Sequence, residues 1–137
     1  MQRQLKGASA RANNMRPAYT AIGLYMVART QERIKSETSP DGSPFKPISP
    51  ETIEDKKDRG QILKILQAEG TLIASIGLVV RPNGVQIGSN QKYASIHQLG
   101  GQAGRGKKVT IPARPYLGVN AIDVEEIEGI IEDHLLL

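Results

Sequence analysis

The sequence predicts an α+β domain: a small, mainly antiparallel sheet with a β-hairpin, packed by an N-terminal helix, short central helices and a C-terminal amphipathic helix. Three observations predict it. Apolar residues recur at helical spacing through Tyr19, Ile22, Met26 and Thr30, and again through Val124, Ile127, Ile131 and Leu135. Between those stretches, two short runs rich in β-branched residues flank Pro82-Asn83-Gly84, a hairpin signal. No strand–helix–strand rhythm runs along the chain, so a doubly wound parallel sheet is not expected.

Each element has a local reason. Residues 1–16 hold one Leu, Ile or Val (Leu5) among Arg3, Lys6, Arg11 and Arg16, which reads as a basic N-terminal arm. Residues 17–137 read as a single domain. Pro17 suits the first helical position of the first long helix, and Gly23 weakens that helix unless a close neighbour offsets the loss. Residues 38–50 form a proline-dense loop with the turn signal Asp41-Gly42, and the only Phe, Phe45, either plugs into a core or docks on a partner. The plug is the favoured reading. Ser49 and Pro50 begin a polar helix that runs through Arg59.

Residues 62–80 hold ten of the 33 Ile, Leu and Val residues and supply the densest part of the core. Gly70 divides them into a short segment over 62–68 and a helical turn over 72–76 capped by Thr71. The hairpin strands follow over 78–81 and 85–89. A short helix over 93–99 ends at Gly100-Gly101. Residues 100–108, with four glycines, two lysines and an arginine, read as a flexible loop. Val109-Thr110-Ile111 resumes a strand, and Asp123-Val124-Glu125-Glu126 reads as a capping box opening an acidic terminal helix.

Composition excludes more chemistry than it suggests. Leu, Ile, Val and Phe make 34 of 137 residues, enough for an aliphatic core, but four Tyr, one Phe and no Trp are too few for a base-stacking platform. Without cysteine there is no disulfide, thiolate nucleophile or sulfur-ligated zinc, and His97 and His134 alone cannot make a three-His site. No phosphate-loop pattern, nucleophile elbow or calcium loop is present. His97, beside Tyr93 and Ile96, reads as a structural residue at the core edge. No catalysis, metal or cofactor is expected, nor any apolar stretch able to span a membrane or act as a leader, so the chain reads as soluble and unsecreted.

The net charge of +4 averages unequal segments: residues 1–35 carry +6, 36–80 carry −2, 81–114 carry +6 and 115–137 carry −6. Three readings are open. The acidic and basic parts can neutralise each other within one copy, join copies head to tail, or leave the basic parts to grip phosphates. Arg3, Lys6, Arg11, Arg105, Lys107 and Lys108 are the candidate contacts to a partner or to DNA.

The ordered set Pro40-Asp41-Gly42-Ser43-Pro44-Phe45, Pro47-Ile48-Ser49 with Thr52 and Lys56, and Ile65-Leu66 with Gly70 and Leu72 resembles the first half of the phage virion-morphogenesis, or tail-completion, family. Tyr93-Ala94-Ser95-Ile96-His97-Gln98-Leu99-Gly100, the basic glycine-rich loop, and Ile111-Pro112-Ala113-Arg114-Pro115-Tyr116-Leu117-Gly118 look like its second half. The likeness covers residues 18–135, with Phe45 where relatives usually carry Trp.

The resemblance implies a structural protein of a tailed phage or Mu-like prophage, found in the virion at the head–tail junction (neck) or tail terminus and in the host cytoplasm during assembly. It implies a homo-oligomeric ring of six copies. Its implied partners are portal, adaptor or stopper proteins and the tail tube or terminator, with genomic double-stranded DNA in passing contact. Phe45, Tyr93, His97, Gln98, Pro112, Arg114 and Pro115 become the structural motif residues. The alternative is a nonspecific nucleic-acid-binding module using residues 1–16 and 105–108.

Overall fold

The computed structural model describes residues 2–48, 58, 71–91, 94–103 and 109–136. The elements are α1 (Gln2–Ala12), α2 (Arg16–Ser36), α3 (Thr71–Ser75), β1 (Gly77–Arg81), β2 (Gly84–Gly88), α4 (Ala94–Leu99), β3 (Gly101–Ala103), β4 (Val109–Ile111) and α5 (Ala121–Leu136). Strands pair as β1 with β2 and β3 with β4, so the fold is α+β with small sheets, as the sequence predicts. Apart from Asp58, which is helical, the polar helix expected over 50–59 and the segment over 62–68 lie outside the described residues. Contacts divide the chain into two compact units: Met1–Ala28 with Gly77–Ile87 and Val119–Leu137, and Arg29–Ile76 with Gly88–Gly118.

In the first unit, the opening half of α2 buries Ala18, Ile22 and Met26 at four-residue spacing. Tyr19, expected in that stripe, is half-buried, and Ala18 heads the row instead. The β1–β2 hairpin lies directly on α2 at Gly23. A Cβ there would sit 2.9 Å from Val85 Cγ2 and 3.2 Å from Leu78 Cβ. Val85 is stiff at χ1 and a Cβ cannot swing aside, so neither contact yields easily. We expect Gly23→Ala to lower stability by about 1 kcal/mol, because overpacking of about 2 kcal/mol outweighs a helix-propensity gain of about 1 kcal/mol. Urea denaturation checks this, and a midpoint equal to or above wild type would refute the contact.

The hairpin turn differs from the one the Asn-Gly pair suggests. Its two loop residues are Pro82 and Asn83, and Gly84 already belongs to β2. Among the described residues Glu37 is the only non-glycine with positive φ, so a mirror-image turn, which needs positive φ at its central residues, is not formed. Pro at the second position and Gly at the fourth fit an ordinary type I turn.

Residues 2–12, expected to be an arm, are an 11-residue helix packed on α5. The two helices cap each other's C-terminal ends. Arg11 Nε donates to the Leu135 carbonyl at 2.9 Å. His134 Nε2 faces the carbonyls of Arg11 and Asn14 at 2.9 and 2.8 Å, and with only acceptors opposite it must carry the proton. Cationic or N–H-bearing side chains thus serve carbonyls at or just past the two helix ends, and the Arg11 carbonyl also accepts from Asn14 N–H at 3.1 Å.

The start of α5 also corrects the expected capping box. Asn120, not Asp123, is the cap: Asp123 N–H donates to Asn120 Oδ1 at 2.9 Å and Asn120 N–H donates back to Asp123 Oδ2 at 3.1 Å. Asp123 is fully buried instead of solvated with the other acids of the helix. Its second oxygen accepts from Tyr25 Oη at 2.8 Å, which makes that burial tolerable.

In the second unit, α2 continues with fully buried Thr30 and Ile34 and ends in a Schellman motif. Thr38 N–H donates to Arg33 C=O at 3.0 Å and Glu37 N–H to Ile34 C=O at 3.3 Å, with Glu37 at φ 59° where glycine is usual. The proline-rich stretch then folds back on itself. Gly42 N–H donates to Ser39 C=O, Ser39 N–H to Ser43 C=O and Phe45 N–H to Glu37 C=O. The Ser43 side chain, and with it the Ser43 N–H donated to Asp41 Oδ1 at 2.9 Å, holds the Asp41 carboxyl below the usual range. This brings Phe45 inward, 5% exposed, so it is a plug.

Elsewhere in that unit, Gln31 Nε2 donates to the Ile73 carbonyl at 3.0 Å, tying α2 to α3, whose Leu72 is buried. The chain expected to be a flexible loop over 100–108 begins instead as β3, antiparallel to β4 with Gly101 opposite Ile111, Gln102 opposite Thr110 and Ala103 opposite Val109. Residues 104–108 lie outside the described set.

Candidate functional site

The two sequence stretches that carry the family likeness meet in the second unit, around helix α4. Its six residues are too few to persist alone, so tertiary bonds must hold it. They come from the extended segment 112–118, where Pro112 and Pro115, both half-buried, restrict the backbone to extended conformations.

Gln98 is the hub. Its Oε1 accepts from Tyr116 N–H at 2.9 Å and Leu117 N–H at 3.0 Å, and its Nε2 donates to the Leu117 carbonyl at 3.1 Å. A single amide thereby satisfies three main-chain groups of a segment that has no strand partner there. Arg114 N–H donates to the His97 carbonyl at 2.8 Å, and Gly100 N–H closes α4 on Ile96 C=O at 2.7 Å. His97 is half-buried and joins the clasp through its main chain.

Arg114 extends the clasp to the loop after Phe45. Its guanidinium, 8% exposed, donates from Nε to Lys46 C=O at 2.8 Å and from Nη2 to Pro47 C=O at 3.0 Å. Burial lowers its pKa. Arg33, 4% exposed, makes a parallel contact, Nη1 to the Gly118 carbonyl at 2.7 Å. At Gly118 a Cβ would come within 2.7 Å of the Pro40 ring, so this strand end and the Pro40 turn touch.

Tyr116, 1% exposed, donates its hydroxyl to the Ala94 carbonyl at 2.8 Å, and burial raises its pKa above the ordinary 10.0. The folded state holds the phenol neutral. The resulting stability is complete below about pH 10, where an unfolded phenol is also neutral, and is lost as pH rises through the raised folded value. We expect Tyr116→Phe to cost about 1 kcal/mol at neutral pH and to make the alkaline fall in stability shallower than in wild type. Denaturant midpoints between pH 7 and 11 check this, and parallel curves would refute it.

The structure therefore brings Phe45, His97, Gln98, Pro112, Arg114 and Pro115 into one unit, while Tyr93 lies outside the described residues. Arg3 and Lys6 belong to α1, Lys6 is exposed, and Arg11 is bonded to Leu135. Arg105, Lys107 and Lys108 lie outside the described residues. Sequence reading missed Tyr116 and Arg33 as clasp members. Tyr116 had a signal, a lone aromatic between Pro115 and Leu117 in an aromatic-poor chain, whereas Arg33 had none.

Among the described residues no three His, Asp or Glu side chains are grouped to hold a metal, and no helix is long and apolar enough to cross a membrane. The arrangement is a set of side-chain-to-backbone bonds that fixes loops.

Comparison with known proteins agrees with the likeness of the motifs and extends it. The profile of the phage virion morphogenesis family matches residues 1–136, so the likeness includes α1. Tail completion protein S of Escherichia phage P2 is 36% identical over 114 residues, 77% of this chain and 73% of that protein. The Mu-like prophage FluMu G protein 2 of Haemophilus influenzae is 47% identical over 66 residues, so the match spans about half of each chain. The putative capsid assembly protein G of Escherichia phage Mu is 30% identical over 105 residues, 74% of this chain and 67% of its own length. No solved structure matches the chain at a significant level.

Proposed function

Because the chain belongs to the phage virion morphogenesis family, we propose that it is a structural assembly protein that completes the tail, acting at the head–tail junction or tail terminus as a homo-oligomeric ring. The observation that carries this reading is the family match over residues 1–136, together with relatives whose names speak of tail completion and capsid assembly. The clasp supports a building role: Gln98, Arg114, Arg33 and Tyr116 spend their polar atoms on main-chain groups and leave none arranged as a nucleophile–base pair. On this reading the protein works by shape and contact, not catalysis.

A ring needs two different faces on each copy. Leaving out the buried Arg114 and Asp123, the five Lys or Arg of 81–108, with no acid among them, and the five acids of 125–133 are candidates for such a pair. Arg3, Lys6, Arg105, Lys107 and Lys108 remain contact candidates toward neighbouring virion proteins or passing DNA.

Disrupting the gene in an otherwise complete phage or prophage tests the assembly role. The expected result is heads and tails that fail to become joined, infectious particles, with restoration by the protein supplied in trans. Normal infectious virions would overturn it. Affinity of the free protein for duplex DNA that falls steeply with salt would favour the nucleic-acid-binding alternative.

A further inference from the structure

Resting on that assembly reading, we propose that the outward face of α5 is a docking surface for a second copy of this chain, which presents its basic side to it. Ile122, Gly129 and Leu136 are spaced by seven residues and so share one helix face. Ile122 is 61% and Leu136 71% exposed. A Cβ on Gly129 would meet nothing within 4 Å. Glycine is a poor residue for the middle of a 16-residue helix, and no packing among the described residues requires it at this position, unlike Gly23 under the hairpin. Close approach of another molecule along the Ile122–Leu136 seam accounts for it.

Charge names the occupant. Glu125, Glu126, Glu128, Glu132 and Asp133 are all exposed around the seam. Among the described residues the ion pair is Arg29 with Glu32, so no described cation bridges to these five carboxylates. Basic α1 packs on the same helix, yet its Arg11 bonds the Leu135 carbonyl.

Two α5 faces cannot pair with each other, because like charges would stand opposite along the whole seam. The occupant is therefore basic, and the same chain carries five Lys or Arg and no acid over 81–108. The contact is heterologous, acidic face to basic face, and propagates from copy to copy.

The test compares full-length wild type with Gly129→Gln and with the double variant Glu125→Lys/Glu132→Lys, by sedimentation and native mass spectrometry over a salt series. Both variants place helix-forming residues where there is room for them, at exposed Glu125 and Glu132 and in the open space beside Gly129, and circular dichroism with thermal melting confirms that they fold. Wild type is expected to assemble and to dissociate as salt rises. Each variant should self-associate at least about tenfold more weakly.

Because a variant keeps its basic side, mixing it with wild type should shorten wild-type assemblies by capping them. Variants that assemble like wild type would overturn the α5 surface while leaving the ring reading intact. Wild type that stays monomeric at every concentration and salt would overturn the ring reading itself. Association of the charge-reversed variant with wild type that exceeds wild type's own self-association would show a self-paired α5 face and refute the heterologous contact.

Discussion

Replacing Gln98 with alanine is expected to cost about 3 kcal/mol, a large part of the ~5–15 kcal/mol that holds a domain of this size. The change removes three hydrogen bonds at once, to Tyr116 N–H, Leu117 N–H and Leu117 C=O, each worth about 1 kcal/mol net. No neighbouring strand takes over these groups, so solvent must reach them or they stay unpaired. Gln98→Glu keeps the two-fold acceptor but turns the donor bond into a repulsion between a carboxylate oxygen and the Leu117 carbonyl, so its expected cost lies between about 1 and 3 kcal/mol. Chemical denaturation of the three proteins checks the order. A Gln98→Ala loss below about 0.5 kcal/mol would show that the amide does not hold the segment.

Gly100→Ala is expected to destabilise by about 3 kcal/mol or more. Gly100 has φ +74°, a left-handed conformation that costs an L-residue about 1–2 kcal/mol. The new Cβ would also stand 2.8 Å from Ala113 N, in the segment that the clasp fixes, and 3.0 Å from Ile111 O at the end of β4, both of them backbone atoms. Strain and overlap act together, since either can be relieved only by moving α4 off the segment. Gly88→Ala is the control: with nothing within 4 Å of its Cβ, it should shift stability by no more than about 0.5 kcal/mol. Equal effects at the two glycines would remove the argument.

Much of the fold was legible because its causes are local. The hairpin strands, the Ile22–Met26–Thr30 stripe and the Gly100 stop depend on neighbours within a few residues, and each stands within a residue or two of its expected place. The misreadings have long-range causes. Helix α1 lacks an apolar rhythm and is held by capping bonds to Leu135 and His134, which no local pattern announces. β3 reads as loop because Gly101-Gln102-Ala103 has no strand propensity and becomes a strand by pairing with β4. Asp123 reads as a cap because acids open helices, but Asn120 holds that position and Tyr25, distant in sequence, draws the carboxylate inward. The candidate site was half legible: motif likeness picked out Gln98 and Arg114, while what their side chains hold depends on the path of segment 112–118.

The mutual capping of α1 and α5 also bears on the order in which the chain takes shape. Arg11 and Leu135 are 124 residues apart, so α1 lacks this partner until the intervening chain has been made. At ~5–20 residues per second that interval is about 6–25 s. An 11-residue helix is too short to persist unaided over it. This helix therefore settles late, because closing so long a loop has to precede its docking.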